Sequence, residues 1–174
     1  GNRAYEDALI ELRDISLDVG FRPVAAGAFI GKHSYSTSGL PIAEGRPDAN
    51  DMLTAHNFGK AIRETLRNGV SSPNEILNVP GKVPYKEIRM LSGIAPSVNE
   101  DLCSRCRKCV LACPTAAIDK GHPADTAIEL CIRCCACVSA CPSNARVLDD
   151  PRIKQAAEWL YANCSDRKEP ETYL

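Results

Sequence analysis

Near the start of the chain, Tyr5, Ala8, Leu9, Leu12, Ile15 and Val19 recur at helical intervals, and Gly20 is placed to end that helix. Next comes an almost unbroken apolar run, Val24 to Ile30, bounded by Pro23 and Gly31. Such a run predicts a short strand buried on both faces, as in a parallel sheet. Residues 31–47 are rich in Gly, Ser and Pro and read as a loop. A second helix is predicted from about Asp48, with Asp51 in its first turn, where negative charge suits the helix dipole. Met52, Ala55, Phe58, Ile62 and Leu66 supply its apolar face, and Gly69 ends it. Helix, strand, helix is the order of an α/β layer. One strand cannot make a sheet, and the chain opens on Gly1 rather than methionine. The expectation is that the N-terminal part of this layer is missing, or that another polypeptide supplies it.

Residues 71–97 carry Pro73, Pro80, Pro84 and Pro96 with Gly81 and Gly93, a density that breaks regular structure and marks a connector. Ile76, Leu77, Ile88, Met90, Leu91 and Ile94 are too apolar for a free tether, so the connector is expected to pack. Beyond residue 150, Asp150-Pro151 is a helix start. Ile153, Ala156, Ala157, Leu160 and Cys164 then fall on one helical face, with Trp159 and Tyr161 off it. Residues 165–174 are polar and read as a loose tail. The expected organisation is therefore 1–70 α/β segment, 71–97 connector, 98–150 cysteine module, and 151–174 helix and tail.

Composition narrows the function classes. A net charge of −1 over 174 residues gives no sign of nucleic-acid binding. No apolar run approaches the length of a membrane span. Acidic and basic side chains nearly balance within residues 98–150. Ten cysteines with no export signal suit a reducing cytoplasm, where thiolates stay available to metal.

Eight of those cysteines form two copies of one pattern: Cys103-x2-Cys106-x2-Cys109-x3-Cys113-Pro114 and Cys131-x2-Cys134-x2-Cys137-x3-Cys141-Pro142. Leu102 matches Leu130, Arg105 matches Arg133, Ala112 matches Ala140 and Ala117 matches Ala145, so the duplication extends beyond the thiols. A tight loop with thiolates at i, i+3 and i+6 reaches three corners of an iron–sulfur cube, and the fourth corner needs a ligand from elsewhere. Structural zinc, a disulfide framework and a degenerate site are the rival readings. Zinc usually takes two separated Cys-x2-Cys pairs, and a third cysteine at the same interval is surplus to it. The spacing resembles that of bacterial ferredoxins with two [4Fe–4S] clusters. In that family the fourth cysteine of each motif serves the other cluster, which implies one site of Cys103, Cys106, Cys109 and Cys141 and another of Cys131, Cys134, Cys137 and Cys113. Pro114 and Pro142 would turn the chain after the crossing ligand. Cys135 is read as unligated, packed beside a cluster or held as a spare ligand, and Cys164 as a small buried hydrophobe.

A wider resemblance covers nearly the whole chain. Residues 1–9 (GNRAYEDAL), 24–39 (VAAGAFIGKHSYSTSG) and 45–48 (GRPD) look like the last loops, strand and helix of a flavodoxin. Followed by the two cysteine motifs, they resemble the flavodoxin–ferredoxin fusion family. The implied fold is α/β plus α+β: the C-terminal portion of a flavodoxin-like parallel layer, then a two-cluster module and a C-terminal helix. The implied cofactors are two [4Fe–4S] clusters, with FMN only where the missing flavodoxin part is present. In a complete protein Asn2 and Arg3 would border the flavin ring, and the loop of His33, Ser34, Tyr35, Ser36 and Thr37 lies nearby or is plain surface. The phosphate-binding loop of such folds is not in this sequence.

The expectation for function is single-electron transfer between a redox protein and a flavin. The alternatives are a flavin-dependent oxidoreductase that uses the clusters as a relay, and a non-catalytic redox-sensing or binding module. Arg105, Arg107, Lys108 and Arg133 add positive charge near the thiolates, either favouring the reduced clusters, forming a docking rim or simply meeting solvent. His33, His56 and His122 are scattered, and no hydrolytic constellation emerges.

Overall fold

The structure, a computed structural model, describes residues 1–69, 75–87 and 92–174. The expectations for Pro73, Ile88, Met90 and Leu91 lie outside the described residues. The chain divides into two compact units: residues 1–33, 41–88 and 163–174 form one, and residues 34–40 and 89–162 the other.

In the first unit, helix α1 spans Ala8–Asp18 and Gly20 follows it at φ +86°. Of its predicted apolar face only Leu9 is buried, while Leu12, Ile15 and Val19 are exposed. Helix α2 spans Ala49–Asn68 and begins with a reciprocal cap. The Asp48 carboxylate accepts from the N–H groups of Asn50 (2.9 Å) and Asp51 (3.0 Å), and the Asp51 carboxylate accepts from the Asp48 N–H (2.8 Å). Gly69 ends the helix at φ +84°. Met52 and Leu66 are exposed, whereas Asp51 is the buried residue of the helix.

The apolar run forms only a three-residue strand, β1, at Ala26–Ala28. Its partner is the predicted loose tail: Glu171–Tyr173 form a strand, and Ala26, Gly27 and Ala28 pair antiparallel with Tyr173, Thr172 and Glu171. The expectation of a loose tail is thus corrected, because residues 171–173 supply β1 with an antiparallel neighbour; no parallel pairing is found among the described residues. Gly27 is required by close packing, since a Cβ there would stand 2.9 Å from the Phe29 ring and 3.1 Å from that of Phe58. Those two rings lie 6.3 Å apart. Residues 80–86 lie along the start of α1. Asp7 accepts from the N–H groups of Lys82 (2.9 Å) and Lys86 (2.8 Å), and Tyr85 donates to Asp14 at 2.8 Å. Gly81, at φ +140°, passes so near α1 that a Cβ would come within 2.1 Å of Ile10.

A buried ion pair sits at the head of α2. Arg46 binds both carboxylate oxygens of Asp51 and also donates to the carbonyl of Lys168 at 2.9 Å. The guanidinium holds the Asp51 carboxyl down at about 2. Arg167 adds a contact to Asp48 at 2.7 Å. These bonds join residues 167–168 to the start of α2.

The second unit holds short elements: strand β2 (Ser97–Val98), helix α3 (Lys108–Ala112), helix α4 (Ala136–Ser139) and strand β3 (Arg146–Val147). Helix α5 begins at Pro151 and runs to Asn163. β2 and β3 pair antiparallel, Val98 opposite Arg146, and an isolated bridge joins Ile118 to Thr126. Ile94, Ala117, Ile118, Ala145, Ile153, Ala157 and Leu160 are buried in it. The predicted inward face of α5 is therefore the observed one, and Trp159 and Tyr161 are exposed.

Candidate metal centre

The two cysteine motifs fold alike. A three-residue 3-10 turn, Glu100–Leu102 or Ile128–Leu130, delivers the first cysteine in extended conformation. The backbone then turns left-handed at Arg105 and Arg107, and again at Ala116 beyond the proline. The same happens 28 residues on, at Arg133, Cys135 and Asn144 (105 to 133, 107 to 135, 116 to 144). Left-handed backbone costs a non-glycine residue roughly 1–2 kcal/mol. Paid twice within each cysteine run, it curls the three thiols around a common space instead of spreading them along a helix. α3 and α4 start at the second left-handed residue and carry the third cysteine.

One cavity is lined by Cys103, Cys106 and Cys109 of the first motif together with Cys141 of the second. Arg105, Arg107 and Arg146 line it too. The N–H of Lys108, then the Ser104 hydroxyl, hold the Cys106 thiol below its ordinary value, against the opposing charge of Cys141. Around the second motif, burial pushes the Cys137 thiol up, the charge of Arg146 opposes it, and the charges of Cys131 and Cys134 reinforce it. Those three thiols therefore share one electrostatic neighbourhood.

The fourth cysteines of the two motifs have matching surroundings. Cys113 accepts from the Ala117 N–H at 3.2 Å and meets the Thr115 hydroxyl at 3.7 Å. Cys141 meets the Ser143 hydroxyl at 3.7 Å. Burial pulls each thiol up, but hydrogen bonds outweigh it: from Thr115, Ala117 and Ile118 at Cys113, and from Arg146, Ser143 and Ala145 at Cys141. Donors aimed at sulfur favour the thiolate, which is the ligand form. Among the described residues no three His, Cys, Asp or Glu side chains converge as the shell of a single metal ion. The thiols stand around a space, an arrangement that fits a multinuclear iron–sulfur cluster whose ligands bind separate irons.

Cys135 occupies the place that Arg107 holds in the first motif, and it is buried. Burial and then the charges of Cys137, Cys134 and Cys131 push its thiol up to about 11, while the Ser34 hydroxyl hydrogen-bonds it. Beside it, Tyr35 hydrogen-bonds Arg133. Residues 34–37 of the loop read as a flavin neighbour or plain surface thus belong to the cysteine-rich unit, and His33 to the other. Cys164 is half-buried in the other unit.

Asn2 and Arg3 belong to the first unit, at a cavity of about 600 Å³. Asn2 is buried and its amide N–H reaches the Ser165 carbonyl at 3.5 Å. Arg3 pairs with Glu6 at 2.6 Å. His122 lies 3.2 Å from Asp125 at an exposed position.

Sequence reasoning missed Arg146. The repeat was legible up to Ala117 and Ala145, and the next pair breaks it: Ile118 stands opposite Arg146. That mismatch is the available signal.

Comparison with known proteins agrees with this geometry over part of the chain. No curated protein and no solved structure matches it. Residues 95–165 match the family described as the 4Fe-4S dicluster domain, so this stretch is a ferredoxin-like module of the iron–sulfur electron-transfer kind.

Proposed function

We propose that this chain passes single electrons through two [4Fe–4S] clusters, one held by Cys103, Cys106, Cys109 and Cys141, the other by Cys131, Cys134, Cys137 and Cys113. The observation that carries the reading is the cavity at which three thiols of the first motif meet the fourth thiol of the second. When bound, such clusters supply one-electron redox chemistry. The protein's own part is to hold the thiols, to direct N–H and O–H donors at Cys106, Cys113 and Cys141, and to surround the site with Arg105, Arg107 and Lys108. Positive charge and sulfur-directed donors stabilise the reduced, more negative state. Anaerobic purification with iron and sulfide counts, and EPR of the reduced protein, tests the reading. About eight irons per chain are expected from two cubes; about four, or zinc in their place, overturns it.

The electron partner in this proposal is a redox protein or a flavin, and the setting is cytoplasmic. No helix among the described residues is long and apolar enough to cross a membrane. The flavin-linked reading draws on the resemblance of residues 1–70 and on the cavity at Asn2 and Arg3. Flavin released by acid from the natively purified protein would support it, and flavin-free protein that still exchanges electrons with a redox partner would remove it.

A further inference from the structure

The two halves of the cysteine module differ most where a charge replaces a methyl-rich side chain. Ile118 and Arg146 are equivalent twice over. Each follows its motif's last cysteine by five positions (113 to 118, 141 to 146), and each sits opposite a matching residue, Thr126 for Ile118 and Val98 for Arg146. Both side chains are buried, at 4% and 2% exposure. A buried guanidinium in place of isoleucine is costly unless negative charge compensates it.

Among the described residues no carboxylate lies within ion-pair distance of Arg146. Its side chain donates to the Pro123 carbonyl at 3.3 Å and to the Thr126 hydroxyl, both neutral. Its Nε is buried without a hydrogen-bond partner. Arg146 is among the residues lining the cavity of Cys103, Cys106, Cys109 and Cys141, and its backbone N–H donates to Cys141. Its charge also acts on Cys137 of the second motif, in the direction that favours thiolate. A cube with four thiolate ligands is an anion, and reduction adds one more negative charge. That anion is the compensation the arginine otherwise lacks.

We infer that Arg146 is a positioning residue that makes the two clusters unequal, raising the reduction potential of one above that of the other, so that an electron entering the module settles on a preferred cluster. The inference rests on the two-cluster reading. One electron arrives from an external one-electron donor, no bond forms or breaks, and no proton moves. Ile118, the counterpart of Arg146 in the repeat, carries no charge to balance it, so the duplicated module becomes directional.

The test is a redox titration of the whole chain with dithionite, followed by EPR, beside the variants Arg146→Ile, Arg146→Met, Arg146→Lys and Thr126→Val. Iron is counted first: about eight per chain in the parent supports the two-cluster reading, and a lower count overturns that reading before potentials are compared. The parent should show two separated midpoints. In Arg146→Ile and Arg146→Met the higher midpoint should fall and the gap narrow. The reduced-to-oxidised ratio at fixed potential should drop at least about tenfold, which is about 59 mV for a one-electron couple. Arg146→Lys should restore most of the gap, and Thr126→Val, which removes a hydrogen bond but keeps the charge, should preserve it. Equal movement of both midpoints, or movement of neither, overturns the inference. So does failure of both neutral variants to assemble clusters while Arg146→Lys does, because the charge then serves assembly rather than potential.

Discussion

The unit containing α1 and α2 and the unit containing the cysteine motifs hold their shapes by different means. The first has helices of 11 and 20 residues, a capped helix start, a buried Arg46–Asp51 pair and a strand closed by the C-terminal residues. Up to residue 147, the second is built from helices of five and four residues and strands of two. Isolated helices shorter than about 12–15 residues are marginal in water. This unit also carries left-handed backbone at six non-glycine positions, Arg105, Arg107, Ala116, Arg133, Cys135 and Asn144. Regular hydrogen bonding cannot stabilise such a chain; cross-links between distant thiols can. Metal ligation is expected to do in one unit what side-chain pairing does in the other.

Iron removal should separate the two most sharply. After chelation, hydrogen exchange in α3, α4 and the β2–β3 pair should accelerate on the order of a hundredfold, the scale of losing a cooperative unit. Amides in the middle of α1 and α2 should change little. Equal acceleration throughout the chain would break the comparison. A finer version replaces Cys141 by Ser. With ligand crossing, the iron count should fall from about eight to about four, and the surviving EPR signal should be that of the site built on the second motif. Loss of that signal instead would mean that each motif holds its own cluster.

The same contrast explains what was legible beforehand. Ligand spacing is a short-range property, so Cys103 to Cys141 announced their chemistry without knowledge of the fold. The helices of the other unit were also local: Gly20, Asp48 and Gly69 mark boundaries that the structure keeps. Strand pairing is not local. The run Val24 to Ile30 predicted a buried strand, but nothing in it specifies that Thr172 will lie opposite Gly27. The polar sequence of residues 165–174 hid this partner, because Tyr173 and Glu171 join the unit through hydrogen bonds rather than apolar bulk. Arg46 and Asp51 read as ordinary loop and helix-start charges, and their burial depends on where residue 168 returns. Arg146 was hidden differently: it stands where the repeat breaks, just beyond the last matching pair, Ala117 and Ala145.

Breaking the buried pair should be the converse of removing iron. Arg46→Ala strands the Asp51 carboxylate, and loss of one partner from a buried pair is among the more damaging single changes. The melting temperature of the helical signal should fall on the order of 10 °C, with iron content and cluster EPR unchanged. The pH dependence has a definite sign. Asp51 titrates at about 2 in the folded protein against 3.8 ordinarily, so its contribution is complete above the ordinary value. It is lost as the pH falls from about 4 through 2, because the unfolded chain takes up the proton first. Denaturant midpoints between pH 6 and 3 should therefore decline more steeply in the parent than in Asp51→Asn. Parallel slopes would show that the pair does not govern acid stability.

The smallest expected effect tests how the C-terminal strand is held. Tyr5 donates to Glu171 at 2.8 Å and its hydroxyl lies 2.9 Å from that of Tyr173, which itself donates to Glu171 at 2.7 Å. These contacts pin the strand Glu171–Tyr173 beside the chain leading into α1, over the length where it pairs with β1. Tyr5→Phe keeps the ring and removes the shared hydroxyl, a loss of about 0.5–1.5 kcal/mol for a typical hydrogen bond. Local exchange at residues 171–173 should then rise severalfold, while α2 and the cluster signals stay as they are. If Tyr5→Phe leaves exchange at those residues unchanged, the backbone ladder alone holds the strand. The first unit would then depend on side-chain pairing at the Arg46–Asp51 end but not at this one.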